Sequence, residues 1–159
     1  MSPRNKTGDL LGIGAGSRLE PSIRAFRTAL TLAQKLRYAM DDRLRADGLT
    51  TQQAALITVV SAMGKPSLAE AAAALGSTHQ NVAQIVAALV RKELLQVEAD
   101  PADKRRKLLS ATNRNEGYWK ERDEGDHAAV AGWFGDLSPA ELKTFCELSD
   151  RVIARLDDA

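Results

Sequence analysis

Cysteine is almost missing from this chain. Its single copy, Cys146, excludes an intramolecular disulfide and any cysteine-based zinc cluster. Histidine is nearly as scarce. With only His79 and His127, a His/Cys structural metal site is not expected. No run of about 18 apolar residues occurs, so no segment reads as a membrane span. The apolar stretch at 10–15 is too short and too glycine-rich for a secretory signal, and the reading is a cytoplasmic protein. An excess of charge of either sign is lacking too: 22 Lys plus Arg stand against 21 Asp plus Glu, for a net charge of +1. That balance argues against a histone-like or ribosomal protein and against an acidic solvating tail. Aromatics make up only 4% of the 159 residues, so the core must be built mainly from Ala, Leu, Val and Ile.

Catalytic equipment is also lacking. There is no nucleophile–base motif, no pair of carboxylates on a common expected face and no metal set, so the chain does not read as an enzyme and no cofactor is expected. The acidic stretch from Glu121 to Asp126 lacks a loop motif and reads as a solvated helix face. Gly12-Ile13-Gly14-Ala15-Gly16 has neither the preceding strand nor the spacing of a dinucleotide fingerprint. Residues 1–19 show no helical periodicity and read as a flexible N-terminal arm.

What is present is helical. From residue 20 to about 47, Ile23, Phe26, Leu30, Ala33, Leu36, Met40 and Leu44 recur at steps of three and four, one face of a long helix. Four further helix starts share the capping-box pattern: Thr50-x-x-Gln53, Ser67-x-x-Glu70, Ser77-x-x-Gln80 and Ser138-x-x-Glu141. Helices are therefore expected from about 50 to 62, 67 to 75 and 78 to 92. Only Gly76 and Ser77 separate the last two, which is the tight turn of a helix-turn-helix. A fifth helix is expected after Thr112, with a bend or break near Gly125 because Gly117, Gly125 and Gly132 weaken it. A sixth carries Leu142, Phe145, Leu148, Val152, Ile153 and Leu156 on or near one face.

Between the fourth and fifth helices the pattern changes. Leu94-Leu95-Gln96-Val97-Glu98 is short and apolar, Asp100-Pro101-Ala102-Asp103 is turn chemistry, and Lys104-Arg105-Arg106-Lys107 leads into Leu108-Leu109-Ser110-Ala111. This reads as a β-hairpin with a basic tip. A helix-turn-helix followed by a basic hairpin is the order of a winged helix.

From Leu49 to Leu156 the sequence resembles the MarR family of winged-helix transcriptional regulators. The resemblance rests on pieces in the family's order. They are Leu49-Thr50-Thr51-Gln52 opening the second helix, Leu68-Ala69-Glu70-Ala71-Ala72 at the helix-turn-helix, and Val82, Ile85, Val86 and Leu89 on the recognition helix's buried face. The wing Asp100-Pro101-Ala102-Asp103-Lys104-Arg105, then Ala111-Thr112 and Leu137-Ser138-Pro139-Ala140-Glu141-Leu142, complete it. The departures are Glu93 where the family commonly has Gly, Val97 where it often has Arg, and Gln84 where it often has Arg or Lys. The resemblance implies a mainly α fold with a small β-hairpin wing. Residues 49–112 would form the winged helix-turn-helix, and 20–48 with 113–159 the N- and C-terminal dimerisation helices.

That resemblance implies a homodimeric, sequence-specific DNA-binding regulator, a repressor released by a small aromatic or phenolic effector, on a pseudo-palindromic duplex. Base reading falls to the start of the fourth helix, where Thr78, His79, Asn81 and Gln84 are the candidates; Asn and Gln suit bidentate contacts to adenine. Ser77 and Gln80 are set aside as capping residues. Phosphate contact falls to Asp103, Lys104, Arg105, Arg106 and Lys107. By resemblance, Arg105 enters the minor groove and Asp103 orients it. Arg91 and Lys92 add cations at the end of the recognition helix. Ile23, Phe26, Leu30, Leu142, Phe145, Ile153 and Leu156 are dimer candidates, although such stripes suit an intramolecular core equally well. Effector-pocket candidates are Phe26, Arg37, Tyr38, Met40 and Trp119. Cys146, on the apolar face of the last helix, reads as a buried inert thiol. The rival reading is a degenerate winged helix that binds protein, with weak or no DNA binding. Charge is distributed unevenly: residues 77–114 hold 7 basic and 4 acidic groups, and residues 115–159 hold 5 and 11.

Overall fold

The computed structural model describes residues 8, 11–14 and 16–158. It divides into two compact units, one through Ala111 and one from Thr112 onward. Much of the expected N-terminal arm lies outside the described residues. Of its described part, Ile13 is buried, and its carbonyl accepts a hydrogen bond from Arg24 Nε at 3.1 Å.

In the first unit, helix α1 spans Pro21–Leu44. Pro21 occupies its first turn, where a missing N–H costs nothing, and the Glu20 carboxylate caps the amides of Ser22 and Ile23. A short 3₁₀ turn, Arg45–Asp47, closes on Gly48 at φ 66°, a left-handed conformation that glycine adopts without a Cβ clash. Helix α2 (Thr51–Met63) is capped by Thr50. Helix α3 (Leu68–Ala74) has a complete capping box between Ser67 and Glu70. Helix α4 (His79–Arg91) follows after Gly76, which is left-handed at φ 57°. Strands β1 (Leu95–Ala99) and β2 (Lys107–Ala111) pair antiparallel, from Leu95 opposite Ala111 to Ala99 opposite Lys107. A single bridge from Ser67 to Leu108, with Leu109 N–H donating to Pro66 at 2.8 Å, attaches β2 to the start of α3.

The core of this unit is aliphatic, as the shortage of aromatics requires. Leu44, Leu49, Leu56, Ile57, Val60, Ala71, Val82, Leu89, Leu95 and Leu109 are all buried. On α4, Val82, Val86 and Leu89 recur at helical spacing and face inward, so the opposite stripe is turned to solvent.

The second unit holds helix α5 (Asn113–Trp133) and helix α6 (Pro139–Asp157). The break expected near Gly125 does not occur; α5 runs unbroken through Gly117, Gly125 and Gly132. Local side-chain pairs span its weak stretch: Trp119 Nε1 donates to Asn115 Oδ1 at 2.7 Å, Arg122 lies 5.6 Å from the Tyr118 ring centroid, and Arg122 pairs with Asp126 at 3.2 Å. Helix α6 begins with a complete Ser138–Glu141 capping box, and none of its described residues is buried in the single chain. Cys146 is accordingly exposed, which corrects the expectation of a buried thiol. Among the described residues, no helix is long and apolar enough to cross a membrane.

Candidate nucleic-acid interface

The start of α4 is set one residue later than the capping pattern predicts. Thr78, not Ser77, is the N-cap, and its hydroxyl accepts from the Asn81 N–H at 3.2 Å. Ser77 alone matches the Gln-bearing pattern, yet Thr78 beside it offers the same hydroxyl, and its backbone has the extended conformation that a cap requires. The Ser77 hydroxyl instead accepts from the Asn81 side-chain amide at 2.9 Å. Asn81 is therefore half-buried and partly committed to the helix start.

The freed residue is Gln80. It lies exposed with Gln84, Ala87 and Arg91 at positions i, i+4, i+7 and i+11, opposite the buried face. This stripe has two amides that can read adenine, a methyl suited to thymine contact, and a cation at its far end. His79 is exposed beside it. Sequence reasoning set Gln80 aside as a capping partner; the extended backbone at Thr78 was the missing information.

The wing tip is folded by its two aspartates. The Asp100 carboxylate accepts from the Ala102 N–H at 2.8 Å, and the Asp103 carboxylate from the Arg105 N–H at 3.0 Å. The Asp103 carbonyl accepts from the Arg106 N–H, and the Arg106 carbonyl from the Asp100 N–H. Asp103 thus shapes the backbone that presents Arg105.

The four wing cations are not equivalent. Lys104, Arg105 and Lys107 are exposed, with no ion pair among the described residues. Arg106 turns back, donating to Glu70 Oε1 at 2.7 Å and lying 3.8 Å from Asp100 Oδ2. Glu70 is held at about 2, well below its ordinary 4.5. The hydrogen bond from the Ser67 backbone N–H is the largest cause, followed by those from the Ser67 hydroxyl and Arg106. Lys92 is also occupied: its ammonium donates to the Gly48 carbonyl and to Gln53 Oε1, the latter at 3.1 Å. That contact takes the Gln53 side chain away from the reciprocal half of its expected capping box. Arg91 stays exposed.

The remaining candidates fall in separate places. Within the first unit, a cleft of about 250 Å³ is lined by Gln34, Arg37, Tyr38, Asp41, Thr50 and Gln52. Arg37 and Tyr38 of the effector set line it; Phe26 and Met40 do not. Trp119 lies in the second unit and is half-buried. Of the apolar stripes, Ile23 and Phe26 on α1 are exposed, as are Phe145, Ile153 and Leu156 on α6. Leu142 is half-buried. Among the described residues, no cluster of three or more His, Cys, Asp or Glu side chains could hold a metal ion.

Comparison with known proteins agrees with the fold. The MarR family model matches residues 47–106, from the end of the 3₁₀ turn to the wing. A MarR/EmrR family transcriptional regulator from Acinetobacter sp. ADP1 is similar in structure at 18% identity and a TM-score of 0.78, over 89% of this chain and 100% of that one. A MarR protein from Peptoclostridium difficile DA00132 has 16% identity and a TM-score of 0.77, over 84% and 88% of the two chains. BpsR of Bordetella bronchiseptica, whose DNA binding is regulated by 6-hydroxynicotinic acid, has 25% identity and a TM-score of 0.69, over 83% and 92%. No curated protein matches the chain.

Proposed function

We propose that this chain, which carries the MarR family's winged-helix segment and the fold of its transcriptional regulators, is a dimeric, sequence-specific DNA-binding regulator. The observation that carries the reading is a pairing of two exposed surfaces within one unit. Gln80, Gln84, Ala87 and Arg91 form a polar stripe on α4, and the hairpin directly after α4 presents the exposed cations Lys104, Arg105 and Lys107. The stripe suits a major groove, and Arg105 on its Asp103-shaped turn suits the narrower minor groove. The amide-rich start of α4 adds a favourable place for a phosphate.

One wing is a small footprint, and a dimer doubles it. Two-fold symmetry would set half-sites about one helical turn apart, roughly 34–36 Å. The exposed apolar residues of α1, and separately those of α6, supply a reason for pairing, since contiguous exposed apolar patches commonly mark interaction surfaces. In this reading the protein is a repressor, and a small aromatic acid releases it by favouring one conformation of the dimer. Support comes from the ligand control of BpsR and from the polar cleft that contains Arg37 and Tyr38.

Selection of bound sequences from random duplex DNA tests the reading. The expected result is a pseudo-palindrome with half-sites one turn apart. Absence of binding even at low salt would instead favour a winged helix that contacts protein.

A further inference from the structure

We infer that Arg106 is a positioning residue, locking the wing onto the start of α3, and that only its neighbours Lys104, Arg105 and Lys107 face phosphate. The inference rests on the DNA-binding reading above and adds a division of labour within the basic run. Four consecutive cations invite one role, but the geometry separates them. Arg106 donates to Glu70 Oε1 at 2.7 Å, across 36 positions of sequence, and approaches Asp100 within the wing. The other oxygen of the same carboxylate, Oε2, accepts from the Ser67 N–H at 2.7 Å and the Ser67 hydroxyl at 2.9 Å. One carboxylate therefore closes the cap of α3 and holds the wing. One backbone attachment runs in parallel, the Ser67–Leu108 bridge, closed by the Leu109 N–H on the Pro66 carbonyl.

The consequence concerns register. Helix α3 abuts the turn that launches α4, and the wing follows α4, so the helix and the wing must enter adjacent grooves at a fixed separation. A tether between α3 and the wing tip fixes that separation before DNA arrives, and preorganisation of this kind raises affinity without adding a contact. Asp100 and the Arg106 carbonyl, joined by a backbone hydrogen bond, carry the same constraint into the turn that presents Arg105.

The test uses the full chain and a random-sequence duplex, with fluorescence anisotropy measured at several salt concentrations. The variants are R106A, E70Q and R105A. Glutamine keeps the α3 cap, because it closes the same box, but removes the charge that holds Arg106. Positioning predicts that R106A and E70Q each weaken binding about threefold to fivefold, the ceiling for an exposed ion pair. Their salt slopes would match the parent's, whereas R105A would lower the slope by about one. The sign of E70Q is decisive. E70Q releases Arg106, so binding should tighten if Arg106 were a masked phosphate contact. Tighter binding by E70Q, or a slope lowered by about one in R106A, would overturn the inference. Amide exchange judges the tether without DNA: the N–H groups of Asp100 and Arg106 should exchange faster in both variants, and unchanged rates would overturn it. Failure of the parent chain to bind at low salt would defeat the DNA reading and leave the tether to be decided by exchange.

Discussion

Asp41, in the last turn of α1, accepts two hydrogen bonds from Thr51, the first residue of α2: one from the backbone N–H at 2.6 Å and one from the hydroxyl at 2.7 Å. The first-turn amides of a helix have no partner within it, and here the preceding helix supplies one. The backbone bond from Thr51 is the main reason that the Asp41 carboxyl titrates below its usual range, with Arg37 and Arg45 adding smaller contributions. Asp41→Ala should lower unfolding stability by about 1 kcal/mol, the scale of losing a helix-start acceptor. Asp41→Asn, which keeps an acceptor, should lose less. Equal denaturation midpoints for Ala and parent would show that the joint between α1 and α2 contributes nothing.

Acid should weaken the fold through its helix starts. Glu20, Asp41, Glu70 and Glu141 all accept from helix-start groups, and all titrate below their ordinary values. A carboxyl depressed in the folded state contributes stability that is complete above its unfolded value and is lost as pH falls through the folded value. For Glu70 that window runs from about 4.5 down to about 2. The urea midpoint should therefore decline across this window, and less steeply in Glu70→Gln. A midpoint that stays level from pH 5 to pH 2 would contradict the assignment.

Glu93 has a left-handed backbone, φ 59°, immediately after the C-cap of α4. A Cβ in that region costs about 1–2 kcal/mol, part of which glycine would return as unfolded-state entropy. Glu93→Gly should stabilise the chain by about 0.5–1 kcal/mol, read as a higher thermal midpoint. This is also the physical content of the departure seen in the sequence, where the family that this chain resembles commonly has glycine. Destabilisation by glycine would mean that the Glu93 side chain contributes more than its strain costs.

The exposed stripe of α4 and the wing should separate in binding titrations. Gln84→Ala and Gln80→Ala should each reduce the preference for a selected site over random duplex by about 1–3 kcal/mol. Lys104→Ala should weaken both duplexes alike and lower the salt slope by about one. Asn81→Ala is expected to cost discrimination as well. Because its amide holds Ser77, it should also lower stability, and a melting curve measured alongside the titration tells the two apart. Equal losses on both duplexes for Gln80, Gln84 and Asn81 would contradict base reading.

Local chemistry was legible in the sequence and distant pairing was not. Ser67 with Glu70 and Ser138 with Glu141 form the complete boxes that their spacing predicts, because both partners lie within one turn. The pattern slipped at Ser77 because Thr78 beside it offers the same hydroxyl, and a motif cannot say which backbone is extended. Gln53 left its expected partner for Lys92, 39 positions away. Arg106 was indistinguishable from Lys104, Arg105 and Lys107 for the same reason, since its partner Glu70 precedes it by 36 positions. The glycines of α5 predicted a break that does not occur, and Trp119–Asn115 and Arg122–Asp126 contacts lie along that stretch. At Gln53 and Arg106, a pattern counted residue by residue met a contact between distant residues that the count could not contain.

Helix α6 has not one buried side chain of its own, and Val152, Ile153 and Leu156 stand more than half exposed. On the dimer reading, its order is therefore borrowed from another copy, and simple dilution becomes a denaturant for it. Copy number would then set more than occupancy of DNA. A cell making few chains would hold them half-assembled and open to proteolysis, so scarcity would be self-reinforcing, and the regulator's abundance would behave as a threshold.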